Sequence, residues 1–391
     1  MTDSPLTVML VAAEASGDDR GAGLAQALRR RLGDRVRFVG VGGARMAAAG
    51  VDSPFDISEL SILGLLEGLM AYPKVVRRAN QTAALAARER PDVAVLIDSW
   101  GFTLRVAQRL RRLDPVLPIV KYVAPQVWAS RPGRARTLAR SVDHLLSIHA
   151  FDAPWFEPHG LPVTFVGNSA LALDFSGADP GQLRARIGAG PADPILLVLP
   201  GSRPGEITRV LPAFEDAVRR LKAERPDLHV VVAAAPTVGE MVRTRVAGWP
   251  HRAHVIDDEP GKRDAMRAAT VALACSGTVT TELALAGCPM VIGYRLGPVT
   301  HAILRRLIRT RYITLFNIAA QAFVAPELVQ AECTGKRLAG ELALRLDDVE
   351  LRRRQVAAQF AALDAMGRGG PDPSEAAAEA ILQIVAARRD A

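Results

Sequence analysis

In five places this 391-residue chain sets polar residues directly after an apolar run, where a strand gives way to a helix. The first is Glu14-Ala-Ser16-Gly17-Asp18, which puts two carboxylates, a hydroxyl and a glycine at one turn. Gly17 lets the backbone approach a ligand, and a helix start offers N–H groups to an anion. Asp18 also fits an ordinary helix cap, whereas Glu14, directly after the strand, has no capping role in this pattern. The second is Asp98, which follows Val93-Ala-Val-Leu-Ile97. A carboxylate at the mouth of a buried run can take a proton from a sugar hydroxyl. The competing reading is a cap for a helix beginning near Thr103. The third is Tyr122-Val-Ala-Pro-Gln126-Val-Trp128 with Arg131, Arg134 and Arg136 behind it, which suits an apolar, phosphorylated ligand. Trp128 fits a core position equally well.

The fourth is Leu199-Pro-Gly201-Ser202-Arg203 with Glu206, a glycine, a hydroxyl and a guanidinium that can hold a phosphate. It is not a Walker loop, because no Gly-Lys-Ser/Thr follows. The fifth is Cys275-Ser276-Gly277-Thr278-Val-Thr-Thr-Glu282. Diphosphate would sit on the Ser-Gly-Thr turn, and Glu282, one to two turns on, is placed to accept from two ribose hydroxyls. A carboxylate early in a helix also simply complements the helix dipole. No Asp-x-Asp pair and no His or Cys cluster has metal-ligand spacing, so no metal is expected. Gly40-Val-Gly-Gly43 lacks the third glycine of a dinucleotide fingerprint, so no cofactor is expected.

Parallel strands with helices on both faces would position these residues. Apolar runs alternate with amphipathic stretches almost throughout, the pattern of a parallel α/β protein. Strands are expected at 7–13, 36–41, 92–97, 119–123, 144–148 and 163–166, then at 194–199, 229–234, 254–256, 271–274 and 290–293. Helices are clearest at 21–32, 104–113, 206–225, 262–268 and 280–286. The Gly-, Ala-, Pro- and Asp-rich stretch after Gly167 reads as a linker. The expectation is two Rossmann-like doubly wound domains, 1–168 and 169–345, facing a cleft. Helices of 346–391 would pack back on the first domain. Ligands of such sheets bind outside the carboxyl ends of the strands, where the five motifs fall.

Composition narrows the partners. The chain is 49% apolar and 23% charged with a formal charge of +8, and only five of its cationic residues are lysines. The basic residues lie on ordinary amphipathic helices without interleaved aromatics, so nucleic acid is not expected. Cys275, Cys288 and Cys333 do not make a disulfide framework and suit a reducing compartment. Neither a leader nor a run long and apolar enough for a bilayer is visible; Val271–Tyr294 carries Glu282 and several hydroxyls. A cytoplasmic protein, attached to the inner membrane only at its surface, is expected. Leu60–Met70, followed by Lys74, Arg77 and Arg78, reads either as an apolar patch with a basic rim or as a buried helix with a solvated end. His301–Arg311 is a second basic candidate.

In their order and spacing these motifs resemble the lipid-A-disaccharide synthase family, from Val8 to about Gln330. Leu60-Ser-Ile-Leu-Gly-Leu-Leu-Glu67, Phe165-Val-Gly167, Pro289–Arg295, Asn317 and Pro326–Gln330 carry the rest of the likeness. The resemblance implies the two-domain GT-B glycosyltransferase fold, with acceptor on the first domain and UDP on the second. It implies inverting, metal-independent transfer of 2,3-diacylglucosamine from its UDP derivative to the 6-hydroxyl of 2,3-diacylglucosamine 1-phosphate (lipid X), giving a β-1,6 disaccharide. Asp98 would be the base, with Glu14 beside it. Gly201, Ser202, Arg203, Glu206, Ser276, Gly277, Thr278, Glu282, Tyr294, Arg295 and Asn317 would meet the donor. Ser16, Gly17, Asp18, Tyr122, Gln126 and Trp128 would meet the acceptor.

The chain departs from the family pattern at several points. Asp98-Ser-Trp-Gly-Phe102 replaces Asp-Ala-Pro-Asp-Phe and so lacks the second carboxylate. Gly167-Asn-Ser169, Ala150-Phe-Asp152 and Leu315-Phe-Asn317 replace Gly-His-Pro, Pro-Phe-Glu and Leu-Pro-Asn. Another UDP-sugar enzyme of the same fold, an N-acetylglucosamine epimerase or a peptidoglycan glycosyltransferase, is the alternative, and a non-catalytic nucleotide-sugar sensor is the reading from a different class. A homodimer that exchanges C-terminal helices is conceivable in this fold.

Overall fold

A computed structural model describes residues 5–60, 65–297, 301–302 and 310–389, with only the backbone at 65–71 and 389. The chain divides into two compact units, residues 1–168 with 370–391 and residues 169–369.

The first unit is built on a six-stranded sheet. Its strands are β1 (Leu6–Val11), β2 (Val36–Val41), β3 (Val93–Ile97), β4 (Ile119–Tyr122), β5 (His144–Ser147) and β6 (Val163–Phe165). All neighbours pair in parallel, in the order β2-β1-β3-β4-β5-β6. β1 and β3 are buried along their whole length and, Thr7 apart, consist of apolar residues, as strands covered on both faces do. Helices α1 (Ala15–Leu32), α2 (Ala44–Ala48), α3 (Leu65–Glu89), α4 (Trp100–Leu113), α5 (Gly133–Ala139) and α6 (Ala153–Phe156) fill the connections.

Two of these helices start earlier than their sequence suggests. α1 begins at Ala15, not Gly21, because its glycines are needed for close packing: a Cβ on Gly21 would lie 2.4 Å from the Met46 sulfur. Tertiary approach here outweighs the low helix propensity of glycine. α4 begins at Trp100, not near Thr103, because Asp98 and Ser99 both take left-handed conformations (φ +51° and +39°) and turn the chain at once.

The second unit repeats the plan. Its strands are β7 (Ile195–Leu199), β8 (His229–Ala233), β9 (His254–Ile256), β10 (Val271–Ala274), β11 (Met290–Tyr294) and β12 (Glu327–Val329). The order is β12-β11-β10-β7-β8-β9, again all parallel. α7 (Pro180–Ile187), α8 (Pro204–Glu224), α9 (Gly239–Ala247), α10 (Glu259–Ala268), α11 (Thr278–Leu285), α12 (Leu315–Ala320), α13 (Gly335–Asp347) and α14 (Val349–Ala365) complete it. β12 is an addition to the strands expected from sequence; three residues are too few to show a period.

The C-terminal helices divide between the units. α14 packs on α11 and α12, and Gln355 and Gln359 donate to the carbonyls of Met290 and Cys288. Only the last helix, α15 (Pro373–Arg389), lies on the first unit, against α1. The expected boundary at residue 346 thus falls within unit two, and the chain returns to unit one at Gly370. No helix among the described residues is long and apolar enough to cross a membrane.

In each sheet the chain reverses direction once. The switch lies between β1 and β3 in unit one and between β7 and β10 in unit two. At such a point the two crossovers leave toward opposite edges and open a crevice at the strand ends. Glu14 and Asp98 follow β1 and β3. Gly201 and Ser276 follow β7 and β10.

Candidate functional site

In unit one the switch point brings three polar side chains together. The Asp98 carboxylate accepts from the Ser16 hydroxyl at 3.1 Å and lies 3.5 Å from the Arg20 guanidinium. Its other oxygen accepts from the Ser99 N–H at 2.9 Å, and the side chain stays one-third exposed. Glu14 is exposed at the N-cap position of α1, with no side-chain cap bond, so its carboxylate is left over from the helix start. It lines a 280 Å³ pocket with Ser99, Trp100, Gly101, Phe102, Arg105 and Tyr72. Arg105 lies over the Tyr72 ring at 4.9 Å, an aromatic and cationic wall.

Directly beneath Asp98 is a residue that sequence reasoning passed over. Lys121, on β4, is fully buried; its amine donates to the Asp98 carbonyl and to the Thr103 hydroxyl. Burial pushes its pKa down to about 7, against the attraction of Asp98 and Glu14. Its signal in the sequence was a lone lysine inside the apolar strand Ile-Val-Lys-Tyr.

Several expected acceptor residues are structural. Asp18 is buried and accepts from the N–H groups of Gly43, Arg45 and Met46 at 2.7–3.0 Å, so it caps α2 and has no free oxygen to offer a ligand. Gly17 is packed 3.2 Å, at Cβ distance, from Ala12. Tyr122 is core, its phenol pushed up to about 12 by burial. Trp128 is buried and donates to Asp152, whose carboxyl is pushed up to about 6 by burial, against hydrogen bonds from Ser147 and Trp128. Ser16 and Gln126 remain exposed.

In unit two the two strand-end loops line a 250 Å³ pocket. One wall is Gly201, Ser202 and Arg203; the other is Ser276, Gly277, Thr278, Val279 and Glu282. α11 starts at Thr278, so its first N–H groups have no partner within the helix and face exposed Gly277 and Thr278. Such a helix start can take phosphate oxygens. The Ser276 hydroxyl donates to the Ile313 carbonyl at 3.1 Å, which fixes the turn.

Asp257, Asp258, Glu259 and Lys262 close the third side; sequence reasoning missed them, because nothing local marks a helix start as facing a pocket. Lys262 pairs with Glu282 at 3.0 Å and with Glu259 at 2.9 Å. Burial alone would lower its pKa, but the two carboxylates outweigh it and raise it. Asp258 is committed to capping α10 through the Gly261 N–H at 2.6 Å.

Three expected donor residues have structural duties. Glu206 is buried and accepts from the N–H groups of Ser202 and Arg203 at 3.1 and 3.3 Å. The loop's own carboxylate thus takes the amides expected to cradle phosphate; the contributions left to this loop are the hydroxyl of exposed Ser202 and the Arg203 guanidinium, 75% exposed. Asn317 is fully buried, donating to Ala325 and Glu327 and accepting from the Ala325 N–H. Arg295 donates to the Cys333 carbonyl. Tyr294 is half-buried beside Glu206 and Arg203, its phenol raised by burial. Among the described residues no three His, Cys, Asp or Glu side chains come together as a metal site.

Two parallel doubly wound units, each with its polar loops at the switch point, define the GT-B class. Solved structures agree: a UDP-N-acetylglucosamine 2-epimerase of Listeria monocytogenes matches with TM-score 0.60 at 14% identity, over 99% of this chain and 97% of that one. A crystal structure titled as the glycotransferase of kitacinnamycin matches with TM-score 0.60 at 17% identity, over 97% and 99%. At such identities the likeness speaks for the fold alone.

Sequence comparison goes further. The family model described as lipid-A-disaccharide synthetase matches residues 8–381. A lipid-A-disaccharide synthase of Rhodospirillum centenum is 44% identical over 98% of this chain and 96% of its own length. The chain belongs to the lipid-A-disaccharide synthase family, whose members are glycosyltransferases.

Proposed function

We propose that this chain transfers 2,3-diacylglucosamine from UDP-2,3-diacylglucosamine to the 6-hydroxyl of 2,3-diacylglucosamine 1-phosphate, with inversion, and that Asp98 is its general base. Family membership supports the reaction; the observation that carries the base is the Asp98 carboxylate, held at the unit-one switch point between Ser16 and Arg20. The acceptor hydroxyl loses its proton to Asp98 as its oxygen attacks the anomeric carbon, and the bond to UDP breaks on the opposite face. No covalent intermediate is needed. Charge on the leaving diphosphate is met by the start of α11 and by Arg203. Glu282 accepts from the ribose hydroxyls once Lys262 yields it, and Lys262 then remains beside the nucleotide as a cation. Glu14 and the Arg105–Tyr72 wall take the acceptor.

The assay is UDP release with and without lipid X. Asp98→Asn is expected to keep the fold and the affinity for UDP and to lower turnover at least about 100-fold, the usual scale for a lost general base. Unchanged turnover overturns the role of Asp98. Release that does not depend on lipid X overturns the transferase reading.

Two acylated substrates also call for a lipid surface. The stretch chosen for it in the sequence, 60–70, lies outside the described side chains from residue 61 onward, as do residues 303–309 of the second basic segment. Of the basic rim, Lys74 and Arg77 are exposed, Lys74 at 3.9 Å from the Glu59 carboxylate, whereas Arg78 is bound to Glu59 at 2.8 Å and lies over Phe55. In this reading Lys74 and Arg77 supply the attraction to anionic lipid, and flotation with phosphatidylglycerol vesicles should weaken as salt rises. Salt-independent flotation removes the electrostatic part.

A further inference from the structure

A fully buried lysine in the middle of a parallel sheet is costly, because its charged form is stripped of water. Lys121 shares its face of β4 with Ile119, where a leucine or methionine would pack at no such cost. What it contacts suggests why it is there. Asp98 and Ser99 are consecutive non-glycine residues at φ +51° and +39°, a conformation that L-residues rarely hold twice in succession. The Asp98 N–H still donates to the Tyr122 carbonyl at 2.9 Å, so the strand is anchored up to that point. On the other side of the residue, the Asp98 carbonyl accepts from Lys121 and from the Thr103 hydroxyl at 2.8 Å, and that hydroxyl in turn is 2.9 Å from the Lys121 amine. The three groups form a closed knot under the turn. Above it, the carboxylate of the same residue meets Ser16 and Arg20.

We propose that Lys121 is a positioning residue for the Asp98 base: its amine holds the Asp98 carbonyl and the Thr103 hydroxyl, and so fixes the left-handed turn that presents the carboxylate. The proposal rests on the reading of Asp98 as the base. Without the amine, the Thr103 hydroxyl alone holds the Asp98 carbonyl, the turn is pinned less firmly against the ordinary right-handed or extended regions, and the carboxylate shifts with it. Lys121 takes no part in proton transfer; it touches the backbone of Asp98, not its carboxylate.

The test is a double-mutant cycle on the full-length protein, with lipid X and UDP-2,3-diacylglucosamine as substrates. Lys121→Met is expected to lower kcat about 10- to 100-fold, the scale of a misplaced catalytic group, with KM for the UDP donor within about twofold of the parent. In the Asp98→Asn background the same substitution should cost nothing further, since no base is left to position. Thr103→Val, which removes the hydroxyl and leaves the lysine, should lower kcat in the same direction and show the same non-additivity. It carries the test by itself if Lys121→Met does not fold.

Equal losses in both backgrounds would mark a generally structural lysine and overturn the proposal. So would an unchanged kcat, or a loss confined to KM. An active Asp98→Asn instead defeats the underlying reading of the base. An inactive Asp98→Asn beside a fully active Lys121→Met defeats this inference alone.

Discussion

Burial moves the Lys121 amine from an ordinary value of 10.5 to about 7, and the sign of that shift sets a measurable pH dependence. The folded protein releases this proton near pH 7, while the unfolded chain keeps it until about 10.5. Between those values the unfolded state binds more protons, so stability rises with pH. Asp98 and Glu14 pull the other way but do not cancel the desolvation. The unfolding free energy of the parent, relative to Lys121→Met, should therefore climb by about 1.4 kcal/mol per pH unit from roughly 7 to 10. Urea unfolding of both proteins at pH 7, 8 and 9 measures it. A difference that stays flat means the amine keeps its ordinary pKa. Single residues of this kind were poorly legible in the sequence. Asp98 stood out as a candidate because it directly follows an apolar run. Lys121 lies inside such a run, and its partner is 23 residues away. For Asp18 both a ligand contact and a helix cap were open, because a carboxylate near a helix start looks alike in either role; it is a cap, but of the helix 26 residues further on.

At the scale of elements, strands were legible and loop anchors were not. A parallel strand covered on both faces reads as a nearly continuous apolar run, and that signature is local. The loop behind the Ser276 turn depends instead on one buried carboxylate. Glu327 on β12 accepts from the N–H groups of Ile313 and Thr314, from the Thr314 hydroxyl and from Asn317. The Ile313 carbonyl then receives the Ser276 hydroxyl. Asn317, expected to touch the donor, thus acts at one remove, by holding the segment that holds the turn. Glu327→Gln retains size but turns one acceptor oxygen into a donor that faces donors. It should destabilise unit two by about 1–3 kcal/mol, the cost of leaving buried polar groups unmatched, and weaken UDP binding. Guanidinium unfolding and UDP calorimetry on the same variant check both. A loss of stability with UDP affinity intact would show that the turn does not need this anchor.

At the scale of the whole molecule, the chain leaves unit one at Asn168, builds unit two, and returns at Gly370 to complete unit one with α15. From the sequence, all helices of 346–391 are expected on the first unit, although an apolar stripe of Ala and Ile fits either core. The structure divides them: Ala377, Ala378, Ile381 and Val385 join the α1 face of the first sheet, and Ala362 and Leu363 of α14 join the second. Arg30 and Arg31 of α1 hold Glu375 at the start of α15 at 2.7 and 2.9 Å, but these are solvated pairs, and the apolar contacts carry most of the attachment. Residues far apart in sequence therefore share one folding unit, while Met366 and Pro373, seven positions apart, belong to different ones. Ile381→Ala should lower the stability of unit one by about 2–5 kcal/mol, as for other buried Ile-to-Ala changes. Because Ile381 belongs to a core that contains no residue of unit two, UDP affinity should not change. Differential scanning calorimetry with and without UDP separates the two effects: the transition of unit one moves down, and the shift that UDP imposes on unit two stays as in the parent. A weaker response to UDP in Ile381→Ala would mean that the last helix also supports the pocket proposed for the nucleotide, and that the two units do not fold as independently as their cores suggest.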